Sequence, residues 1–486
     1  MLFNSFVFIF LFLPVVFIGY YLLNHFNFNR LSILWLVAGS LFFYGYFNPK
    51  YLILIAISIS LNFLIGSLMN RSEDIKKKRI LLTIGILFNV SLLGYYKYAD
   101  FFISNTNFVL GTDFNLLHLV LPLGLSFITF QKIAYLVDTY KGETKDYTFT
   151  TFALFATFFP QLIAGPIVHH KEVIPQFETK ENKRINLDNI SKGIFIFLIG
   201  LVKKVAIADT VAIWANDGFS KYQSLTFSES WLTSLSYTIQ LYFDFSGYCD
   251  MAIGLALLFN IKLPANFHSP YKVRNIQEFW KKWHMTLNRF LTQYVYFPLG
   301  GSRKGSVRTY INILIVFFIS GFWHGAGWTF IIWGVLHGLA SVVVRLWGKT
   351  KINLPYWLSW FITFQFINLA WVYFRADNVT QANAIISKMF HFDWTDLSNI
   401  FSHPIRSFAT SASYKIGTVS FDNSKLIILS LSLLILVSLI SKSSIDLLEK
   451  FKFNWASVVY CQVFMLIVLV SIFYMQKNSV FLYFNF

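Results

Sequence analysis

Three places in this chain put ionisable groups into sequence that otherwise avoids polarity. The stretch GFWHGAGWTF, Gly321 to Phe330, sets His324 among glycines and aromatics between two hydrophobic runs. An imidazole titrates near neutrality, so it can take a proton from a hydroxyl and return it to a leaving group. Gly321, Gly325 and Gly327 would let backbone or a ligand approach closely. The competing reading is a hydrogen-bonded histidine that packs two helices, and His337, in a similar LHG setting about one span on, shows that the pattern is not unique. The second place is His284 in WKKWHMTLN; spacing alone reads it as a histidine facing lipid headgroups, since an interfacial helix carries polar residues freely. The third is YFDFSGYCDMAIG, with Asp244, Ser246, Tyr248 and Asp250. An ionisable residue at membrane depth costs about 2.5–3.5 kcal/mol on insertion scales and is a functional hypothesis by default. The two carboxylates either line a substrate channel or orient a catalytic group, or else sit at a helix break made by Gly247 and are neutralised by nearby Lys or Arg.

Other chemistries find little support. The adjacent His169 and His170 have the right donors for a metal, but neither HExxH nor a carboxylate at fitting spacing accompanies them, so no metal is expected. P-loop, GxGxxG and GxSxG patterns are missing, which argues against an ATP-driven pump, a nucleotide enzyme or a serine hydrolase. Cys249 and Cys461 stand far apart, with no disulfide framework or CxxC spacing.

The elements that must position these residues are membrane elements. Of 486 residues, 56% are hydrophobic, 20% aromatic and only 13% charged, whereas a soluble domain carries about 25% charged residues. Hydrophobic runs continue to the C-terminus with no long polar block, so residues 1–486 read as one polytopic membrane domain. The net charge of +17 comes from Lys and Arg in short loops, which is positive-inside patterning and not a nucleic-acid surface. The start, MLFNSFVFIFLFLPVVFIGYYLL, has no Lys or Arg before its apolar run and no small-x-small site after it, so a retained first span is expected, not a signal peptide.

About 20 apolar residues cross the hydrocarbon as a helix. On that criterion the spans are Leu2 to Leu23, Leu31 to Phe47, Tyr51 to Met69, Ile80 to Tyr96, Leu119 to Val137, Gly193 to Asp209, Trp231 to Asn260, Arg308 to Phe322, Thr329 to Trp347, Leu354 to Phe374, Leu426 to Ile440 and Trp455 to Met475. The expected fold is an all-α integral membrane protein of about 11–12 spans with re-entrant and interfacial helices. NRSEDIKKKR is the densest basic cluster and should be cytoplasmic, which puts the N-terminus outside. Counting on, DTYKGETKD and HHKEVIPQFETKENKR both fall inside. FALFATFFPQLIAGPIV between them cannot then be a simple crossing; Pro160, Gly165 and Pro166 mark it as a re-entrant pair of half-helices. Residues 272–308 should be cytoplasmic, the Gly325 to Gly327 break outer, and 376–425 an external loop before C-terminal helices over 426–475. NIQEFWKKWHMTLNRFLTQYVYFPLGGSRKG reads as one interfacial helix, with Trp280, Trp283, Leu287, Phe290 and Leu291 on one face and Lys281, Lys282 and Arg289 on others.

The runs LIAGPI, YFDFSGYCDMAIGLALLF, EFWKKWHMTLNRFL, PLGGSRKG, GFWHGAGWTFIIWGVLHG and WVYFRA, in that order, resemble the membrane-bound O-acyltransferases (MBOAT), specifically the bacterial alginate O-acetylase (AlgI)-like branch. The likeness runs from Leu2 to Ala376, with its core over about 119–376. It implies a many-helix fold enclosing a tunnel, with His324 of the WHG motif catalytic and His284 the second family position. It also implies transfer of an acetyl group from a cytoplasmic thioester, acetyl-CoA, to a hydroxyl at the inner membrane of a bacterium. The acceptor would be an extracellular or cell-wall polysaccharide, alginate-like, served by a periplasmic or extracellular SGNH-type acetyltransferase partner, with no resident cofactor. Lys281, Lys282, Arg303 and Lys304 suit the phosphates of coenzyme A, though the same charges satisfy topology alone. Where the branch often reads WLRDYLY, this chain has FLTQYVY, with Thr292 and Gln293 in place of Arg-Asp. D-alanyl transfer to teichoic acid, the task of a sister branch, and a non-enzymatic transporter or flippase are the alternatives.

Overall fold

With no water in hydrocarbon to satisfy peptide groups, a chain this apolar must hydrogen-bond its own backbone. The computed structural model describes residues 1–144, 146–350, 352–399, 415–416, 419–420, 424–474 and 481–482, and is helical nearly throughout. Among them the only paired extended backbone is a two-residue antiparallel ladder, Lys415–Ile416 with Val419–Ser420. The protein is an all-α integral membrane protein. Six helices among the described residues are long and apolar enough to cross a membrane: Phe8–His25, Lys50–Arg71, Ile75–Leu110, Phe227–Leu258, Ser306–His324 and Trp328–Trp347. Two shorter apolar helices cover Ile427–Ile440 and Trp455–Ser471. Other expected spans are helical too, over Asn29–Gly45, Leu125–Tyr140, Leu187–Leu201 and Tyr356–Arg375. Of the expected external loop 376–425, residues 379–390 form the helix Val379–Phe390, while 400–414 lie outside the described residues.

The chain divides into two compact units. The first comprises Met1–Leu198, Tyr248–Ala265 and Phe451–Ser457; the second comprises Ile199–Gly247, Asn266–Lys450 and Val458–Phe486.

In the first unit, the helix expected from Leu119 begins only at Leu125. Gly124 precedes it with φ +71°, and a Cβ there would sit 2.5 Å from the Leu162 carbonyl oxygen, so only glycine fits. The expected re-entrant stretch is two helices, Phe149–Thr157 and Phe159–Leu162, buried from Thr151 onward. The break falls at Phe158, just ahead of Pro160, which occupies the first turn of the second helix where its missing N–H costs nothing. The freed Phe159 N–H donates to Ser40 Oγ at 3.1 Å, meeting the requirement that irregular backbone in a membrane protein be buried and satisfied.

In the second unit, two expectations are corrected. Phe227–Leu258 is one continuous helix, so Gly247 makes no break. A Cβ on Gly247 would lie 2.9 Å from the Gly200 carbonyl oxygen; the glycine lets two backbones approach, as small residues do in membrane helix packing. The single interfacial helix is instead two short ones, Ile276–Lys282 and Met285–Leu291, separated at Trp283 and His284. Their apolar face, Trp280, Trp283, Leu287, Phe290 and Leu291, is buried in protein and does not lie on headgroups.

Ser306–His324 and Trp328–Trp347 form a helical hairpin whose connection, Gly325 to Gly327, is extended. The two helices touch through Gly321 and Gly334: a Cβ on Gly334 would be 2.4 Å from the Phe317 carbonyl oxygen, and one on Gly321 2.4 Å from that of Phe330. Gly334→Ala must push the helices apart. Overpacking of this kind costs about 1–3 kcal/mol, so the apparent melting temperature should fall. Unchanged melting would show that the crossing tolerates a methyl group.

Candidate active site

The site is built where that hairpin ends. His324 is the last residue of Ser306–His324, only 2% exposed. Its Nδ1 lies 2.6 Å from the backbone oxygen of Ser320, one turn earlier. A carbonyl can only accept, so the ring proton is on Nδ1 and Nε2 keeps its lone pair, the tautomer a general base requires. Aromatic rings hold the imidazole edge to face: Trp323 and Trp333 at 4.9 Å and Phe374 at 5.3 Å between centroids.

His284 reaches the same place from the junction of the two short helices. Its backbone is left-handed, φ 44° and ψ 52°, a conformation that costs an L-residue about 1–2 kcal/mol and ends one helix while starting the next. The side chain is fully buried, so the headgroup-facing reading is overturned. Its Nδ1–H donates to Asn266 Oδ1 at 3.1 Å. The same oxygen accepts from the Thr286 N–H at 3.2 Å and the Thr286 hydroxyl at 2.9 Å, which fixes the amide's orientation. The rings of His284 and His324 are 6.4 Å apart at 76°, and Phe245 packs edge-on against His284 at 4.9 Å. Burial, with a smaller contribution from His324, holds the His284 imidazole well below its ordinary range, so it is neutral at physiological pH.

His337, the sequence look-alike, is wired the other way. Trp280 Nε1–H donates to His337 Nδ1 at 3.2 Å, which puts the proton on Nε2 and makes this histidine a donor. Two residues alike in sequence therefore differ in tautomer, and only His324 of the pair offers a base.

Asn266 had no motif to announce it. Asn266→Ala removes the acceptor shared by three donors, which costs about 1–3 kcal/mol for buried groups left unmatched, and lets the His284 ring turn. Any reaction that needs the His284 ring held in place should slow, and an unchanged rate in the folded variant would show that the ring needs no such support.

Asp244 is paired, as one of the two sequence readings held. Lys204 Nζ lies 2.6 Å from Asp244 and 2.7 Å from Asp209, all three buried. Lys204 comes from the π-helical turn Val202–Ala208, a local irregularity common where a helix must present a special side chain. Asp244 Oδ2 also accepts the Leu482 N–H at 2.9 Å, and Lys204 stands over the Phe481 ring at 4.4 Å. The next residue, Phe245, is the one that packs on His284. Ser246 and Tyr248 are buried on the same helix. Asp250 is buried too and lies farther along the same helix, in the part that belongs to the first unit. Lys281, Arg303 and Lys304 are exposed and Lys282 is half-buried. Further polar ties without a sequence motif hold the frame: Ser234 and Thr238 donate to Asn368 Oδ1 at 3.0 and 2.7 Å, and Trp371 stacks on Trp333 at 5.7 Å.

Comparison with known proteins agrees with this geometry. Residues 138–379 match the membrane-bound O-acyltransferase family, MBOAT, a range that takes in both histidines. The chain is 46% identical over 516 residues to a peptidoglycan O-acetyltransferase of Helicobacter pylori, covering 100% of this chain and 98% of that protein. It is 38% identical over 409 residues to a probable alginate O-acetylase, AlgI, of Pseudomonas aeruginosa, covering 82% of this chain and 77% of that one. A teichoic acid D-alanyltransferase of Streptococcus thermophilus is 26% identical over 47% of this chain. A buried imidazole on a broken membrane hairpin, inside the matched range of a chain similar along its whole length to a peptidoglycan O-acetyltransferase and over 82% of its length to an alginate O-acetylase, places the chain in the membrane-bound O-acyltransferase family, and it is an O-acyltransferase.

Proposed function

We propose that this protein transfers an acetyl group from acetyl-CoA on the cytoplasmic side of the bacterial inner membrane to a hydroxyl that serves O-acetylation of a cell-wall glycan. The observation that carries the reading is the His324 Nδ1 bond to the Ser320 carbonyl, which leaves Nε2 basic in a buried aromatic shell beside a second neutral imidazole. His324 Nε2 takes the proton of the acceptor hydroxyl as its oxygen attacks the thioester carbonyl. The tetrahedral intermediate collapses, the C–S bond breaks, and the same proton passes from Nε2 to the departing thiolate. His284 orients the reacting groups. General-base catalysis supplies about 10²–10⁴-fold; holding donor and acceptor together in a dry site supplies the rest.

Similarity along the whole chain to the Helicobacter pylori protein favours peptidoglycan as the acceptor over alginate, since the alginate O-acetylases match a smaller share. An SGNH-type partner outside the membrane would complete delivery to the polymer. The test is reconstitution in liposomes with acetyl-CoA, paired with mass analysis of the wall from cells with and without the gene. Release of free coenzyme A, and acetyl esters lost from peptidoglycan on deletion, are the expected results. Unchanged acetyl content, or turnover only with a D-alanyl carrier-protein thioester, would overturn the assignment.

A further inference from the structure

The first unit holds a second histidine cluster, to which the proposed transfer mechanism gives no role. His169 and His170 are adjacent, and on a regular helix adjacent side chains diverge. Here His169 is the extended N-cap residue, φ −98° and ψ 136°, and His170 opens the helix His170–Glu178. That change of backbone brings the two rings together, 4.4 Å between centroids and 31° between planes. Both Nε2 atoms meet a single carboxylate oxygen: Asp138 Oδ2 lies 2.8 Å from His169 and 3.1 Å from His170. Asp138 comes from the helix Leu125–Tyr140. Asp138 and His170 are wholly buried and His169 is 14% exposed at its side chain. Tyr135 and Phe155 pack edge-on to the His170 ring.

We propose that Asp138, His169 and His170 form a binding site for a divalent transition-metal ion, zinc by its ligand chemistry. Two imidazole nitrogens and one carboxylate oxygen are a recognised three-ligand zinc set that leaves a fourth position open. Zinc bonds of about 2.0–2.2 Å at tetrahedral angles separate ligand atoms by about 3.3 Å. The two observed contacts are a few tenths of an ångström shorter, and all three donor atoms lie within 4.8 Å of one another, so a small opening of the cluster admits the ion. Without metal, each ring donates its Nε2 proton to Asp138, while His170 Nδ1 accepts from the Tyr147 hydroxyl at 3.0 Å and His169 Nδ1 from the Lys171 N–H at 3.3 Å. Metal binding moves each ring proton from Nε2 to Nδ1 with no net release. His170 then donates to Tyr147, the outer partner that orients a metal-bound histidine, and the long contact from Lys171 is the one surrendered. The ion would clamp helix Leu125–Tyr140 to the start of His170–Glu178.

The experiment uses the full chain purified in detergent without metal and titrated with Zn²⁺. One equivalent should bind and raise the apparent melting temperature. His169→Ala, the partly exposed ligand and so the least disruptive change, should weaken binding at least about 100-fold, and Tyr147→Phe about 10-fold, with the thermal rise lost in step. Substitution of Co²⁺ into the unaltered protein should give the ligand-field spectrum of a low-coordinate nitrogen-ligated ion, a readout that needs no variant to fold. Sub-stoichiometric zinc in the parent, equal affinity in His169→Ala, or a six-coordinate water-like cobalt spectrum would each overturn the proposal and leave the cluster a hydrogen-bonded brace.

Discussion

His324→Ala should lower thioester-dependent acyl transfer by about 10²–10⁴-fold in a protein that still elutes and melts like its parent. The expected loss is in turnover, because the ring is aimed by the Ser320 carbonyl and an aromatic shell and not by a donor-binding group. His324→Gln, which can keep a donor toward Ser320 yet offers no base of comparable strength, should be nearly as slow. His284→Ala should also be impaired, but by less, since its Nδ1 is committed to Asn266 and the proposed mechanism gives it only orientation. Because the two rings sit 6.4 Å apart and serve one transfer in that proposal, the double variant should lose far less than the product of the single losses. Transfer at the parent rate by a folded His324→Ala protein would sink the mechanism.

Lys204→Ala should be the most destabilising single substitution in the second unit. It removes a cation that pairs with both Asp209 and Asp244, and so takes an ion-pair partner from each of two buried carboxylates. Breaking a buried pair costs about 3–5 kcal/mol, most of it the uncompensated charge. The result should be a lower apparent melting temperature and a smaller monodisperse fraction after extraction. Adding Asp244→Asn to Lys204→Ala should recover part of the loss, since it removes one of the stranded charges. Activity should fall as well, because Asp244 adjoins Phe245, which braces His284. A Lys204→Ala protein as stable as its parent would mean the carboxylates find water or protons at little cost.

Much of the frame was legible in the sequence, and the failures share a cause. The hairpin break at Gly325 to Gly327 and the interruption near Pro160 fall where expected, since each is a local property of a few residues. Gly247 and the expected interfacial helix do not. A glycine within a run reads equally as a break or as a contact point, and only the 2.9 Å approach to the Gly200 carbonyl decides for contact. Likewise the helical spacing of Trp280 through Leu291 continues across His284, and nothing local reports that its backbone turns left-handed there.

By itself the sequence determined that this is a helical membrane protein with His324 on a hairpin end and, through its ordered motifs, its family. Apolar composition over windows of about 20 residues decides insertion, and helices satisfy their backbone within themselves, so this information is local. Tertiary structure alone decided what each ionisable group does. His284 is held by Asn266, 18 residues away, Asp138 joins His170 across 32, and Lys204 meets Asp244 across 40. A proton's place on an imidazole, and the charge state of a buried carboxylate, depend on whichever partner the fold brings within about 3 Å. That is why His324 and His337, which stand in similar glycine-flanked settings, carry their ring protons on different nitrogens.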